Sequence, residues 1–131
     1  MAGWPGPIAA VTLVVPDKDE ARRFYVGVLG LETVFEDDVS VVLRFGTTLI
    51  NLLARPAAFE LFAPDAPGEE GAGPRTLLTV EVDSVDDEAA RLVERGVTLL
   101  NGPMDRPWGI RTVSFVAPGG HAWELGAPIT P

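Results

Sequence analysis

The chain has 131 residues, of which 47% are hydrophobic, and its formal net charge is −9. A chain of this length is expected to form a single domain, residues 1–131, around one hydrophobic core. Its 10 Lys and Arg residues face 19 Asp and Glu residues, which argues against nucleic acid as a partner because phosphate binding requires clustered basic side chains.

The sequence also argues against a membrane or secreted protein. No apolar run approaches the ~20 residues of a membrane span, and residues 1–5 lack the basic region and apolar stretch that mark a signal peptide. Cysteine is absent, so there is no disulfide and no thiolate metal site. We therefore expect a cytoplasmic protein.

The first half of the chain predicts a strand, a helix and three more strands. Asp17, after a β-rich run that ends at Pro16, fits a helix N-cap, with Glu20 completing a capping box. Gly30 fits the C′ position that closes this helix. The helix carries an apolar stripe at i, i+3, i+4 and i+7, which predicts packing on a sheet: Ala21, Phe24, Tyr25 and Val28. The predicted strands are 8–15, 32–36, 39–45 and 48–54.

The second half repeats this pattern. Residues 84–87 resemble a capping box, an apolar stripe follows, and Gly96 ends the helix at the same separation from Asp83 as Gly30 from Asp17. The predicted strands are 76–82, 97–100, 111–116 and 122–125, with breaks at 101–103 and 118–120. We therefore predict an α+β fold of two tandem βαβββ modules that form curved mixed sheets around a cleft. Module one spans about 7–54, a linker with a short helical turn near 57–62 spans 55–75, and module two spans about 76–127.

Two motifs resemble a known family. They are Phe24-Tyr25-x-x-Val28-Leu29-Gly30-Leu31 and Pro118-Gly119-Gly120-His121-x-Trp123-Glu124-Leu125. Together they resemble the vicinal oxygen chelate superfamily, which includes glyoxalase I, extradiol dioxygenases, and fosfomycin- and bleomycin-resistance proteins. The resemblance covers about residues 8–126 and implies the fold more than the function, since one fold hosts many chemistries.

In metal-using members of this family, the first and last strands of each module supply His and Glu ligands. The resemblance places these four positions at Ala10, Asn51, Leu77 (Thr76 if the repeat has no gap) and Glu124. Only Glu124 matches, because transition metals in such sites need imidazole and carboxylate ligands. His121, the one histidine, falls on the opposite side of the last strand from Glu124. We therefore expect no metal and no cofactor.

Strand alternation puts Glu124 on the face opposite Trp123 and Leu125, where it could anchor a ligand amine, act as a base, or serve only structure. Asn51 could form a structural hydrogen bond with Glu124 or bind a ligand. Trp108 could stack on a planar ligand or cap a loop. Phe59 and Phe62 could form a lid or a dimer seam, and Asp105 and Arg106 suggest a solvated turn. Arg111, like Arg44, could meet a ligand carboxylate or pair with local acids. The candidate ligand-binding residues are Ala10, Thr12, Asn51, Leu77, Thr79, Trp108, Arg111 and Glu124.

The leading functional hypothesis is a metal-free, homodimeric protein of the bleomycin-resistance type that binds an aromatic or cationic small molecule, such as an antibiotic. The apolar replacements at Ala10 and Leu77 favour an organic ligand. One alternative is a metal-independent isomerase or lyase that uses Glu124 as acid and base. Others are a divalent-metal-dependent enzyme of the glyoxalase or dioxygenase kind, and a module that only associates with another protein.

Overall fold

The computed structural model describes residues 6–129, and the chain divides into two compact units between Glu70 and Gly71. Each unit contains one βαβββ module with a four-stranded mixed sheet, so the predicted α+β fold of two tandem modules is confirmed. The N-terminal segment 1–5, used above to argue against a signal peptide, lies outside the described residues. Within residues 6–129 no helix is long and apolar enough to cross a membrane.

The first module contains one helix and four strands. Its elements are β1 (Ala10–Val15), α1 (Lys18–Arg22) with a π-helical continuation (Arg23–Val28), β2 (Glu32–Glu36), β3 (Ser40–Phe45) and β4 (Thr48–Ala54). The sheet order is β1-β4-β3-β2, with β1 parallel to β4 and the other pairs antiparallel. The β1–β4 pairing brings the two ends of the module's chain together at one edge of the sheet.

The first helix begins at its predicted cap and continues with a different geometry from the one predicted. The Asp17 carboxylate accepts hydrogen bonds from the backbone N–H groups of Asp19 and Glu20, each at 3.0 Å. The second half is π-helical rather than α-helical, although Ala21 and Tyr25 are both fully buried as the apolar stripe predicts. Gly30 has a φ of 77°, the left-handed conformation expected after a helix.

The second module repeats the arrangement after a connector helix, α2 (Arg55–Phe62), that is longer than the single turn predicted. Its elements are β5 (Leu77–Glu81), α3 (Val85–Glu94), β6 (Leu99–Asp105), β7 (Ile110–Ala117) and β8 (His121–Pro128). The sheet order is β5-β8-β7-β6, with β5 parallel to β8. The Ser84 hydroxyl accepts a hydrogen bond from Asp87 N–H at 3.1 Å, which confirms the predicted cap.

One predicted break is wrong, because β6 runs through residues 101–103. The β6–β7 register shifts on both sides of Asn101, so the strand bulges instead of ending. Gly102 has a φ of 87°, and a Cβ there would collide with the backbone carbonyl oxygen of Thr112. Glycine therefore keeps the strand close to β7 where any other residue would push it away.

Each sheet packs one face under its own helix. In the second module Val85 and Ala89 of α3 contact Val113 of β7, with Leu125 of β8 against the same cluster. On the first sheet the side chains buried on the helix-facing side alternate in the same way and are Leu13, Val15, Val41, Leu43, Ile50 and Leu52. Because side chains alternate along a strand, the residues between them lie on the opposite face of each sheet. We call this second face, which lies opposite the module's own helix, the open face of the sheet. It contains most of the predicted ligand-binding residues.

Asp37 stabilises the turn between β2 and β3. Its Oδ1 accepts hydrogen bonds from Val39 N–H at 2.9 Å, Ser40 N–H at 2.8 Å and the Ser40 hydroxyl at 2.9 Å. The bonds from the Val39 backbone, the Ser40 hydroxyl and the Ser40 backbone lower the pKa of Asp37 below its ordinary value. The stabilisation from the ionised carboxylate is thus present above the ordinary value of 3.8 and lost as the pH falls through the lowered pKa.

We therefore expect Asp37→Ala to lower the urea midpoint of unfolding at pH 6, and the deficit to shrink as the pH falls below the ordinary carboxyl range. Asp38→Ala is the matched control, since no hydrogen bond in the described chain depends on that neighbouring carboxylate. An Asp37→Ala deficit that does not change between pH 6 and pH 3 would contradict this account.

Candidate functional site

On the open face of the first sheet, Thr12 and Asn51 are register partners across β1 and β4. The Asn51 side-chain Nδ2 donates to the Thr12 hydroxyl at 3.4 Å. Its Oδ1 is buried and accepts no hydrogen bond from any of residues 6–129. Asn51 is therefore paired within its own module and keeps one acceptor without a donor.

On the corresponding face of the second sheet, Thr79 and Glu124 are register partners across β5 and β8. The Thr79 hydroxyl donates to Glu124 Oε1 at 3.1 Å. Ser114 of β7 is the partner of Glu124, and Asn101 of β6 is the partner of Ser114. A polar row, defined as Thr79, Glu124, Ser114 and Asn101, therefore crosses all four strands.

Ser114 is a member of this row that sequence reasoning did not select as a ligand-binding residue. It is only 3% exposed, and its hydroxyl has no hydrogen-bond partner among residues 6–129. An unpaired buried hydroxyl costs about 1–3 kcal/mol. Strand alternation could have identified it, because Ser114 lies between the core residues Val113 and Phe115 and therefore faces the opposite side of the sheet.

The neighbouring row on the second sheet is apolar. Leu77 and Val116 flank Ala122 in register, and Leu77 is 50% exposed. The first module has Ala10 beside Leu49 at the corresponding place. Ala10 precedes Thr12 by the same interval as Leu77 precedes Thr79, which favours Leu77 over Thr76 as the counterpart of Ala10.

These residues do not fit a transition metal. The side chains of Ala10 and Leu77 have no donor atom, and Asn51 offers one neutral oxygen. Glu124 is the one carboxylate among the four positions, and it already accepts a bond from Thr79. Within residues 6–129 no group of three or more His, Cys, Asp or Glu side chains could hold a metal ion. His121 begins β8 on the side of the strand opposite Glu124.

Arg111 lies away from the polar row. It alternates with Thr112 onto the face that packs under α3, and its guanidinium donates to Asp86 at 3.0 and 3.2 Å and to Asp105 at 3.0 Å. The hydrogen bonds that Arg111 donates to Asp86, and then those to Asp105, raise the pKa of Arg111. Of the two roles considered for Arg111, the structure supports pairing with local acids.

Two groups of exposed aromatic side chains lie outside the sheets. Trp108 is 67% exposed at the tip of the turn between β6 and β7. Phe59 and Phe62 of α2 are each about half exposed, and the Arg55 guanidinium lies 5.6 Å from the Phe59 ring centroid. Trp108 and Phe62 are thus available for contact with another molecule.

Arg106 departs from the solvated turn predicted for it. Its Nε donates to the Thr112 hydroxyl at 2.9 Å and its Nη2 to Asn101 Oδ1 at 2.8 Å. Thr112 is fully buried and lies on the same face as Ser114 and Glu124. The Arg106 side chain is therefore held over the open face of the second sheet, at one end of the polar row.

Comparison with known proteins agrees with this fold. The family model described as the Glyoxalase/Bleomycin resistance protein/Dioxygenase superfamily matches residues 7–125. The uncharacterized protein YraH of Bacillus subtilis (strain 168) is 31% identical over 119 residues, which cover 88% of this chain and 93% of that protein.

Two solved structures illustrate the similarity. A glyoxalase/bleomycin resistance protein/dioxygenase from Nocardioides is 25% identical with a TM-score of 0.87, over 98% of this chain and 87% of that chain. TnmS3, an antibiotic binding protein from Streptomyces sp. CB03234, is 26% identical with a TM-score of 0.74, over 98% of this chain and 100% of that chain. The two tandem modules and the family match together establish that this chain belongs to the Glyoxalase/Bleomycin resistance protein/Dioxygenase superfamily.

Proposed function

We propose that this protein binds a cationic, aromatic small molecule of the antibiotic type and does so without a metal. The observation that carries the proposal is the chemistry of the open face of the second sheet. There a half-buried carboxylate, Glu124, lies beside an exposed apolar row that includes Leu77 and Val116. A carboxylate bordered by apolar surface suits an organic cation.

Three further features support this choice. The net charge of −9 raises the local concentration of cations near the chain. The exposed indole of Trp108 offers a stacking surface for an aromatic ring. The similar structure TnmS3 is an antibiotic binding protein.

We also propose that the chain forms a single domain, that it is located in the cytoplasm, and that it assembles as a homodimer. Homodimers are expected from the likeness to bleomycin-resistance proteins, and the half-exposed Phe59 and Phe62 provide apolar surface for such a seam. Sedimentation at several protein concentrations tests the dimer. A chain that sediments as a monomer at concentrations well above those used for binding would contradict it.

The function itself is tested by calorimetric titration with bleomycin and with proflavine, a planar aromatic cation. We expect at least one of these probes to bind with a dissociation constant in the micromolar range or below, about −8 kcal/mol or better. After prolonged incubation the probe should be recovered chemically unchanged. Conversion of the probe would favour the isomerase or lyase alternative with Glu124 as acid and base, and no binding of either probe would contradict the proposal.

A further inference from the structure

The Arg106 guanidinium is fixed by neutral side chains. Its Nε and Nη2 donate to Thr112 and Asn101, which lie on neighbouring strands β7 and β6. The backbone of the turn also fixes this residue, because Arg106 N–H donates to the Ile110 carbonyl at 2.7 Å and Gly109 N–H donates to the Arg106 carbonyl at 3.1 Å. The cation is thus positioned before any ligand arrives.

The two side-chain hydrogen bonds of Arg106 leave one end of its guanidinium free to donate to a ligand. A guanidinium has five N–H donors in a planar fork, and Nε with one N–H of Nη2 forms its side edge. That edge is used by Thr112 and Asn101. Among residues 6–129 no acceptor bonds the remaining N–H groups, and no carboxylate lies within ion-pair distance of Arg106.

Other arginines of the same module are engaged differently. Arg91 pairs with Glu88 at 2.6 Å, and Arg111 pairs with Asp86 and Asp105. The chain has 19 acidic residues, yet Arg106 is held only by a hydroxyl and an amide. Its positive charge is therefore not balanced by a carboxylate of its own module and is available to a ligand. The end of a guanidinium fork matches a carboxylate in a bidentate manner.

A second, independent observation points to the same place. Ser114 lies between Asn101 and Glu124 in the polar row. Only 3% of it is exposed, and its hydroxyl has no hydrogen-bond partner in the described chain. Buried polar groups are nearly always paired. The hydrogen bonding of this row is therefore incomplete at the residue that separates the two charged side chains.

We propose that Arg106 is a specificity-determining residue that binds a carboxylate of the ligand, while Glu124 binds a cationic group of the same molecule. This inference rests on the proposed function and adds that the ligand is dipolar. Arg106 bonds Thr112 on β7 and Asn101 on β6, which lie one and two strands from Glu124 on β8. With a strand spacing of about 5 Å, the two charged groups of the ligand are therefore separated by between about 5 and 10 Å.

The test uses three probes that share one ring. They are 4-(aminomethyl)benzoate, which has both charges across the ring, benzylamine, which has only the cation, and 4-methylbenzoate, which has only the carboxylate. Affinities are measured by NMR titration of the full chain at millimolar probe concentration. Wild-type protein should bind 4-(aminomethyl)benzoate about tenfold more tightly than benzylamine, the gain of one charge-assisted pair of hydrogen bonds.

Substitution of Arg106 then tests whether this side chain contacts the carboxylate of the probe. Arg106→Gln should weaken 4-(aminomethyl)benzoate about tenfold and leave benzylamine within about twofold, whereas Arg91→Gln, which removes the same charge from α3, should change neither. Asn101→Ala keeps the charge but removes one support, and should weaken 4-(aminomethyl)benzoate about threefold by loss of preorganisation. The urea midpoint of each variant reports its folding.

The outcomes separate this inference from the proposed function. If benzylamine binding depends on Glu124 but Arg106→Gln weakens no probe, the dipolar ligand is wrong and the cation site stands. If Arg106→Gln weakens benzylamine as much as 4-(aminomethyl)benzoate, Arg106 acts on the fold and the inference is overturned. If no probe binds the wild-type chain, the inference also fails, while the bleomycin and proflavine titrations decide the proposed function independently.

Discussion

Replacing Trp123 with alanine is expected to lower the free energy of unfolding by about 3–5 kcal/mol. The indole is 2% exposed and lies on β8, beside Phe115 of β7 and Leu78 of β5 in register. Its removal takes a large apolar side chain out of a packed interior and leaves a cavity that the strands on either side cannot fill. Because small proteins have only about 5–15 kcal/mol of net stability, the loss should be plain in urea denaturation.

Trp108→Ala is the matched control, since it removes the same side chain from a position that is 67% exposed. A surface change of this kind should alter the free energy of unfolding by no more than about 0.5 kcal/mol. Similar losses for the two variants would contradict the packing described for β8. The same Trp108→Ala variant should weaken binding of an aromatic probe if the indole stacks on it.

Glu124→Gln is expected to raise the dissociation constant of a cationic probe about 10- to 100-fold, because a hydrogen bond to a charged group contributes about 1.5–3 kcal/mol. Glutamine has the same length and can still accept the hydrogen bond from Thr79, so the fold should be unaffected. The measurement is calorimetric titration of wild type and variant with the same cationic aromatic compound.

Glu81→Gln is the control for this substitution. Glu81 is an exposed carboxylate on β5, on the same face as Thr79, and its replacement changes the net charge by the same amount. If Glu81→Gln weakens binding as much as Glu124→Gln, the effect comes from overall charge, and it should then disappear at high salt. An effect confined to Glu124 and retained at high salt supports direct contact.

Much of the fold could be predicted from local signals. The caps at Asp17 and Ser84 and the left-handed glycines at 30 and 96 are short-range features, and the structure confirms them. The π-helical segment 23–28 could not be predicted, because its apolar spacing is that of an α-helix. The β6 bulge was missed because the segment Asn101-Gly102-Pro103 has residues typical of a turn. Only the close approach of Gly102 to Thr112 of β7 explains why the strand continues.

The strand positions of the candidate site could be predicted from the sequence. The family resemblance located Asn51 and Glu124, and alternation put them with Thr12 and Thr79 on the faces opposite the helices. The pairing of Thr12 with Asn51 and of Thr79 with Glu124 came only from the structure. Alternation could not place Arg106, because a turn residue has no such periodicity and its partners Thr112 and Asn101 come from two strands. For Arg111 the sequence left two roles open, and its partner Asp86 on α3 is a tertiary contact that no local pattern indicates.

The most direct test of metal-free binding compares the dissociation constant of one cationic aromatic ligand before and after exhaustive chelation. We expect the same value for the chelated protein, and no change on adding back Zn²⁺, Ni²⁺ or Mn²⁺, because the residues at Ala10 and Leu77 offer no metal ligand. Binding that is lost on chelation and restored by one of these ions would contradict the account.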